Sequence, residues 1–169
     1  MVLLTERLSL RPVEDRDLDA WAEFLGDPEA TRLVHFPEPV DRRLSKQLLR
    51  RTIARADGVK AMYAVGVRET GETAGFVGYS PRELEWGHEL ELGWLLLPRF
   101  HGRGYATEAA RRIRRLVPGR VISLIRVENA PSINVARKLG MQLERDIEFV
   151  GYPTHVYVSV ESPPLESRT

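Results

Sequence analysis

Two glycines interrupt the stretch LLLPRFHGRGYATEAA, residues 95–110, where an apolar run gives way to alanines and a glutamate that favour helix. Gly102 and Gly104 carry no side-chain bulk and tolerate positive φ. Successive backbone N–H groups there can converge on one point at the positive end of the helix that follows. The chemistry this suits is the capture of an anion. A Gly-x-Gly pair also occurs in ordinary strand-to-helix turns, and on these two residues alone both readings stand.

Other residue patterns suggest rival chemistries. RRIRR at 111–115 resembles a nucleic-acid contact, yet its arginines flank Ile113 on the polar side of an amphipathic pattern, which predicts a solvated face. The four histidines show no metal-ligand spacing: His88 and Glu89 lack a second histidine in HExxH register, so no metal is expected. A dinucleotide site would use Gly102 and Gly104 with Glu128 as the ribose-binding acid, but Thr107 stands at the third glycine position. A Walker loop fails because no Gly-Lys-Ser/Thr follows.

The elements that must hold the glycine turn follow from periodicity. Leu8 and Leu10 alternate with polar neighbours before Pro12, as in a half-buried strand. Asp15 to Leu25 reads as a helix capped by Asp17 and stopped by Gly26 and Pro28, residues 33–41 as a loop, and Asp41 to Ala56 as a second helix with Leu44, Leu48 and Ile53 inward. From Ala61 the period switches to two, giving a three-strand meander through WGHELELGWLLL. An amphipathic helix runs from Gly104 to Val117, a buried strand covers 121–127, and a helix spans Pro131 to Gly140. Strands at Gln142–Val150 and His155–Val160 finish the pattern. The prediction is an α/β (α+β) fold: a mixed, mostly antiparallel sheet of six to seven strands with one central parallel pair and about four helices. A single βαβ unit after a meander cannot build the doubly wound sheet that a dinucleotide site needs.

The chain, 169 residues long, fits one domain over 1–161, with 162–169 as a flexible tail. Lys plus Arg number 25 against 24 for Asp plus Glu, a net charge of +1, so no broad field recruits nucleic acid or an anionic membrane and any anion site must be local. No cysteine is present, which excludes disulfides, thiolate zinc and a cysteine nucleophile and fits a cytoplasmic protein. No apolar stretch is long enough to span a bilayer, and monomer or homodimer are both compatible.

Four segments in register, TERLSLRPV, ETAGFVGYS, ELGWLLLPRFHGRGYATEA and ENAPSINVARKLGM, resemble the GNAT superfamily of acyl-CoA N-acyltransferases, and more narrowly its RimJ/RimL-like branch, over most of the chain. The resemblance implies acetyl-CoA as co-substrate and an amine acceptor, either a protein N-terminus or a small molecule. It places the pyrophosphate on the loop His101, Gly102, Arg103, Gly104, Tyr105 and Ala106, with His101 where the family usually has Arg or Gln. It places pantetheine along the backbones of Trp94, Leu95 and Leu96, beside a splay for which Gly93 suits a bulge. Asn129 falls where the family touches the pantetheine arm, though it can also cap the following helix. Lys138, with Arg137, comes near the nucleotide phosphates or lies at a solvated helix end.

The same resemblance suggests Glu91 as the general base, with pairing to an arginine such as Arg82 as the alternative. Many family members protonate the thiolate with a tyrosine, but Ala136 stands at that position. The branch offers a serine instead, matched by Ser132, which can also serve the free N–H groups of its helix; Tyr152 and Tyr157 are the fallback donors. The acceptor pocket is expected between the first two helices, their loop with His35 and Phe36, and the last hairpin with Tyr152 and His155. A module that binds acyl-CoA without turnover is the alternative function.

Overall fold

A computed structural model describes residues 1–35 and 38–159. Phe36, Pro37 and the segment from residue 160 onward, including the expected tail, lie outside the described residues. One sheet of eight strands runs through them: β1 Leu3–Leu4, β2 Leu8–Pro12, β3 Ala61–Val67, β4 Thr73–Leu84, β5 Gly87–Leu96, β6 Val121–Arg126, β7 Gln142–Phe149 and β8 Tyr152–Ser159, in the spatial order β1-β2-β3-β4-β5-β6-β8-β7. All neighbours are antiparallel except β5 and β6. Five α-helices accompany the sheet among the described residues: α1 Leu18–Gly26, α2 Pro28–Arg32, α3 Arg42–Ala54, α4 Tyr105–Arg114 and α5 Ala130–Lys138. The architecture is the mixed α/β arrangement expected from the sequence, with one strand and one helix more.

The extra pieces have local causes. Pro28 reads as a stop, yet it occupies the first turn of α2, where its missing N–H costs nothing, and Asp27 caps that turn by accepting the Glu29 N–H at 2.8 Å. Pro81 sits inside β4. The β3 pairing stops at Ala61–Tyr79, so the proline faces no partner on that side and continues the ladder to β5 opposite Leu90. Asp17 does not cap α1 with its side chain. It is buried, accepts the Glu14 N–H, and is held by two Arg11 nitrogens at 2.8 and 2.5 Å.

The cores lie on both faces of the sheet. Leu8 and Leu10 are sealed beneath the sheet while Ser9 and Arg11 are not, the alternation read from the sequence. Trp21 of α1 meets Phe76 of β4 edge-on at 4.8 Å, a contact worth about 1 kcal/mol beyond its buried area. On α3 the expected Leu48 and Ile53 pack partly buried against the core, Leu49 beside them is fully enclosed, and of the expected inward residues Leu44 alone is exposed. Ala109, Ala110 and Ile113 form the buried stripe of α4. RRIRR is not wholly solvated: Arg114 is buried, and its guanidinium donates to the carbonyls of Val117 and Gly119, closing the end of α4.

Candidate functional site

β5 and β6 share a single bridge, Glu91 with Ile122, after which they separate. The expected bulge at Gly93 is absent from the ladder to β4, which runs through Gly78–Gly93 in register. What ends the pairing is a side chain. Ser123 of β6, buried, donates from Oγ to the Leu92 carbonyl at 2.7 Å, taking the acceptor nearest the start of the gap. Ser123 lies in an apolar strand and was not legible as a site residue.

The gap exposes specific backbone groups. The Leu97 N–H bonds the Ala74 carbonyl, so the alternation of an antiparallel ladder turns the groups of Leu95 toward β4 and those of Trp94 and Leu96 toward the gap. Leu95 therefore offers its side chain rather than its backbone to the site. The His101 ring donates from Nε2 to the Leu96 carbonyl at 2.9 Å, which closes the far end of the edge and leaves Trp94 at its middle.

Beyond the strand, Gly102 and Gly104 both have left-handed φ, +75° and +78°, and Gly104 begins α4 without any side-chain cap. At Gly102 a Cβ would meet nothing, so glycine is needed there for its dihedral rather than for room. The loop is tied down from the other end of the chain. Arg7 donates to the Arg103 carbonyl at 2.8 Å and to Glu108 at 2.7 Å, its guanidinium lies 5.0 Å from the Tyr105 ring centre, and Thr5 Oγ1 donates to Glu108 at 2.6 Å. Burial pulls the Glu108 carboxyl upward, but the hydrogen bonds from Thr5 and Arg7 outweigh it and hold it below the usual range. These buttresses explain TERLSLRPV as part of the site, a role the sequence alone did not disclose.

A cleft of about 260 Å³ follows the gap and the loop. Its lining includes Trp94, Leu95, Leu96, His101, Gly102, Gly104, Tyr105, Ala106, Asn129, Ser132 and Lys138. Arg103 is not among the lining residues and stacks toward Phe100, 5.5 Å from the ring centre. Asn129 caps α5, accepting the Ser132 N–H at 3.2 Å, while its Nδ2 donates to the Leu33 carbonyl at 2.9 Å and so fastens the end of α2 to α5. The Trp94 indole donates to Ser132 Oγ at 3.2 Å. That oxygen therefore acts as acceptor toward Trp94, and among the described residues no acceptor holds the hydroxyl proton.

A second cavity, about 680 Å³, shares Trp94, Leu95, Asn129 and Ser132 with the first and extends to α3, β3, β4 and β6. Alternation along β5 puts Glu91 on the face where Phe76 meets α1, and Trp94 on the opposite face. Glu91 lines this second cavity and pairs with Arg82. Burial raises its carboxyl above the usual range, opposed by Arg82 and by the Leu124 backbone. Glu89, on the same strand face, instead binds Arg120 and the Trp86 indole. His35 is also here: its Nε2 donates to Thr154 Oγ1 at 2.9 Å, because the Thr154 hydroxyl donates to the Tyr152 carbonyl. Burial, then Arg126 and Arg82, push His35 down to about 4, so it is neutral at pH 7. His155 is held by Asp146 on the neighbouring strand, and neither it nor Tyr152 or Tyr157 lines either cavity.

Comparison with known proteins agrees with this geometry. Residues 7–142 match the family model described as an acetyltransferase (GNAT) domain. An uncharacterized N-acetyltransferase, p20, of Bacillus licheniformis is 29% identical over 155 residues, covering 86% of this chain and 86% of its own. The crystal structure of an acetyltransferase from Agrobacterium tumefaciens is 29% identical and superposes with a TM-score of 0.79, covering 95% of each chain. RimL, a ribosomal alpha-N-protein acetyltransferase in complex with coenzyme A, shares the fold at a TM-score of 0.79 and 17% identity, covering 96% of this chain and 99% of its own. A split parallel pair, a glycine loop opening α4 and a family match over most of the sequence converge on one conclusion: the chain belongs to the GNAT acetyltransferase family.

Proposed function

We propose that this protein is an acetyl-CoA-dependent N-acetyltransferase that moves an acetyl group to a primary amine by direct attack, close to the RimJ/RimL-like branch and working in the cytoplasm. The observation that carries the reading is the meeting of two cavities at Trp94, Asn129 and Ser132, one lined by an uncapped helix start and a free strand edge, the other by the half-buried carboxylate of Glu91. The fit to coenzyme A rests on that edge and loop. The first-turn N–H groups of α4 suit the pyrophosphate, the Trp94 backbone and the Leu96 N–H suit the amide-bearing arm, and Lys138, the last residue of α5, lines the cleft. When bound, the coenzyme supplies a thioester carbonyl.

The chain's own residues then divide the work. Glu91 takes the proton that the amine must lose as the C–N bond forms, directly or through one water, and burial has moved its carboxyl toward the basicity such a role needs. Ser132 donates a hydrogen bond to the sulfur as the C–S bond breaks, with Trp94 holding its oxygen so that the proton faces the cleft. The proton the leaving thiolate gains comes from Ser132 or from a water it holds, and the one Glu91 has taken restores the balance through solvent. The Arg82 pair supports a second role for Glu91, as a strut between β4 and β5.

Transfer of labelled acetyl from acetyl-CoA to a panel of amines tests the proposal. Product with release of one thiol per acetyl is expected. Thermal stabilisation by acetyl-CoA without any product would leave a binding module, and stabilisation by NADH instead would overturn the coenzyme assignment.

A further inference from the structure

The cavity on the Glu91 side has an unbalanced lining. Arg51 of α3, Arg55 at that helix's C-terminal cap, Lys60, Arg82 and Arg126 face it, and Glu91 is the one carboxylate among its lining residues. Arg82 is occupied by Glu91 and Arg126 by Glu128, but Arg51, Arg55 and Lys60 make no ion pair among the described residues. Arg51 lies in the last turn of α3 and Arg55 is its C-terminal cap, four residues on, both exposed. Mutual repulsion is felt locally: burial, then Arg55 and Arg82, lower the Lys60 ammonium.

We propose that the acceptor is a primary amine whose remainder is anionic, bearing carboxylate or phosphate groups held by Arg51, Arg55 and Lys60 while its amine lies beside Glu91 at the junction with the coenzyme cleft. This names the substrate class of the transferase reading and rests on it. Polyamines and aminoglycosides, whose remainders are cationic, are disfavoured by the same wall. The shared chemistry has two sources, a small amino acid or phosphorylated amine and a peptide N-terminus followed by acidic residues.

The test uses the full chain saturated with coenzyme A for binding and with acetyl-CoA for transfer. Aspartate, glutamate and phosphoethanolamine form one arm, a peptide with acidic second and third residues the next, and spermidine, kanamycin and the same peptide with neutral residues the controls. An anionic amine should be the preferred acceptor, and whichever of the first two arms has the higher kcat/KM identifies the source. Arg51→Glu/Arg55→Glu changes two exposed side chains and so leaves the fold intact. It should raise KM for that acceptor by about tenfold or more, with KM for acetyl-CoA unchanged, and added salt should raise the wild-type KM in the same direction. Preference for spermidine or kanamycin, or an Arg51→Glu/Arg55→Glu variant that treats the anionic acceptor as wild type does, overturns the substrate class while leaving the transferase reading in place. Calorimetric binding of the anionic amines, lost in the variant but without transfer in either protein, supports the class and removes the transferase reading. No binding and no transfer overturns the class.

Discussion

The cleft along the β5 edge and the cavity beside Glu91 share a wall yet are made of different material. The cleft is largely main chain: two left-handed glycines, an uncapped helix start and a strand edge, drawn mostly from residues 94–106 and 129–138. The cavity beside Glu91 is side chain, contributed by α1, α3, β3, β4, β5 and β6. Main-chain geometry depends on where glycine and proline stand, so it is short-range and resists substitution of its neighbours. Side-chain walls exist only after distant elements have packed, and they can change one residue at a time.

Gly104→Val should separate the two regions most sharply. A β-branched residue at φ +78° is strained by roughly 1–2 kcal/mol, and its Cβ would also press on Arg7, which holds the loop. Affinity for acetyl-CoA should fall about 100-fold or more as the hydrogen bonds to the charged pyrophosphate are lost, while far-UV circular dichroism stays native. Unchanged affinity in that variant would mean the loop is only a turn.

Glu91→Gln probes the junction from the cavity side. Turnover should drop by about 10²-fold, with the loss greatest at acidic pH where amines are protonated, and acetyl-CoA affinity should be untouched. If the rate and its pH profile match wild type while the melting temperature falls, Glu91 is a strut for Arg82.

Ser132→Ala and Trp94→Phe probe the junction from the cleft side. Each should reduce kcat by roughly tenfold, less than Glu91→Gln, because a neutral donor is being removed. The double variant should be no slower than Ser132→Ala, since the indole acts through that hydroxyl; additive losses would separate the two residues.

The smallest effect belongs to His35. Its folded-state value near 4 lies below the ordinary 6.5, so it contributes stability above pH 6.5 that is lost as pH falls toward 4. The wild-type melting temperature should decline across that window more than that of His35→Gln. Parallel curves would assign the acid sensitivity elsewhere.

How much of this the sequence disclosed follows the same division. The glycine loop, the meander, the parallel pair and the helix after Asn129 were readable because each leaves a local mark: φ-permissive residues, alternation, a cap. Pro28 misled because proline marks a helix start as well as a break, and only the neighbours decide which. Ser123 and the Thr5–Arg7–Glu108 buttress stayed hidden because their partners are 31 to 103 residues away. Arg114 resembled a surface charge until the end of α4 and its turn enclosed it. Arg51, Arg55 and Lys60 become a wall only when α3 and β3 close over β4.

The lone bridge between β5 and β6 has a mechanical consequence. A ladder of many rungs would make the sheet one plate, whereas one rung makes it two, hinged at Glu91 and Ile122. The first plate is β1 through β5 and the second β6, β8 and β7, so amide exchange should report two cooperative units rather than one. A molecule lying in the opening touches both and acts as a splint, slowing exchange in the second plate even at amides far from any contact.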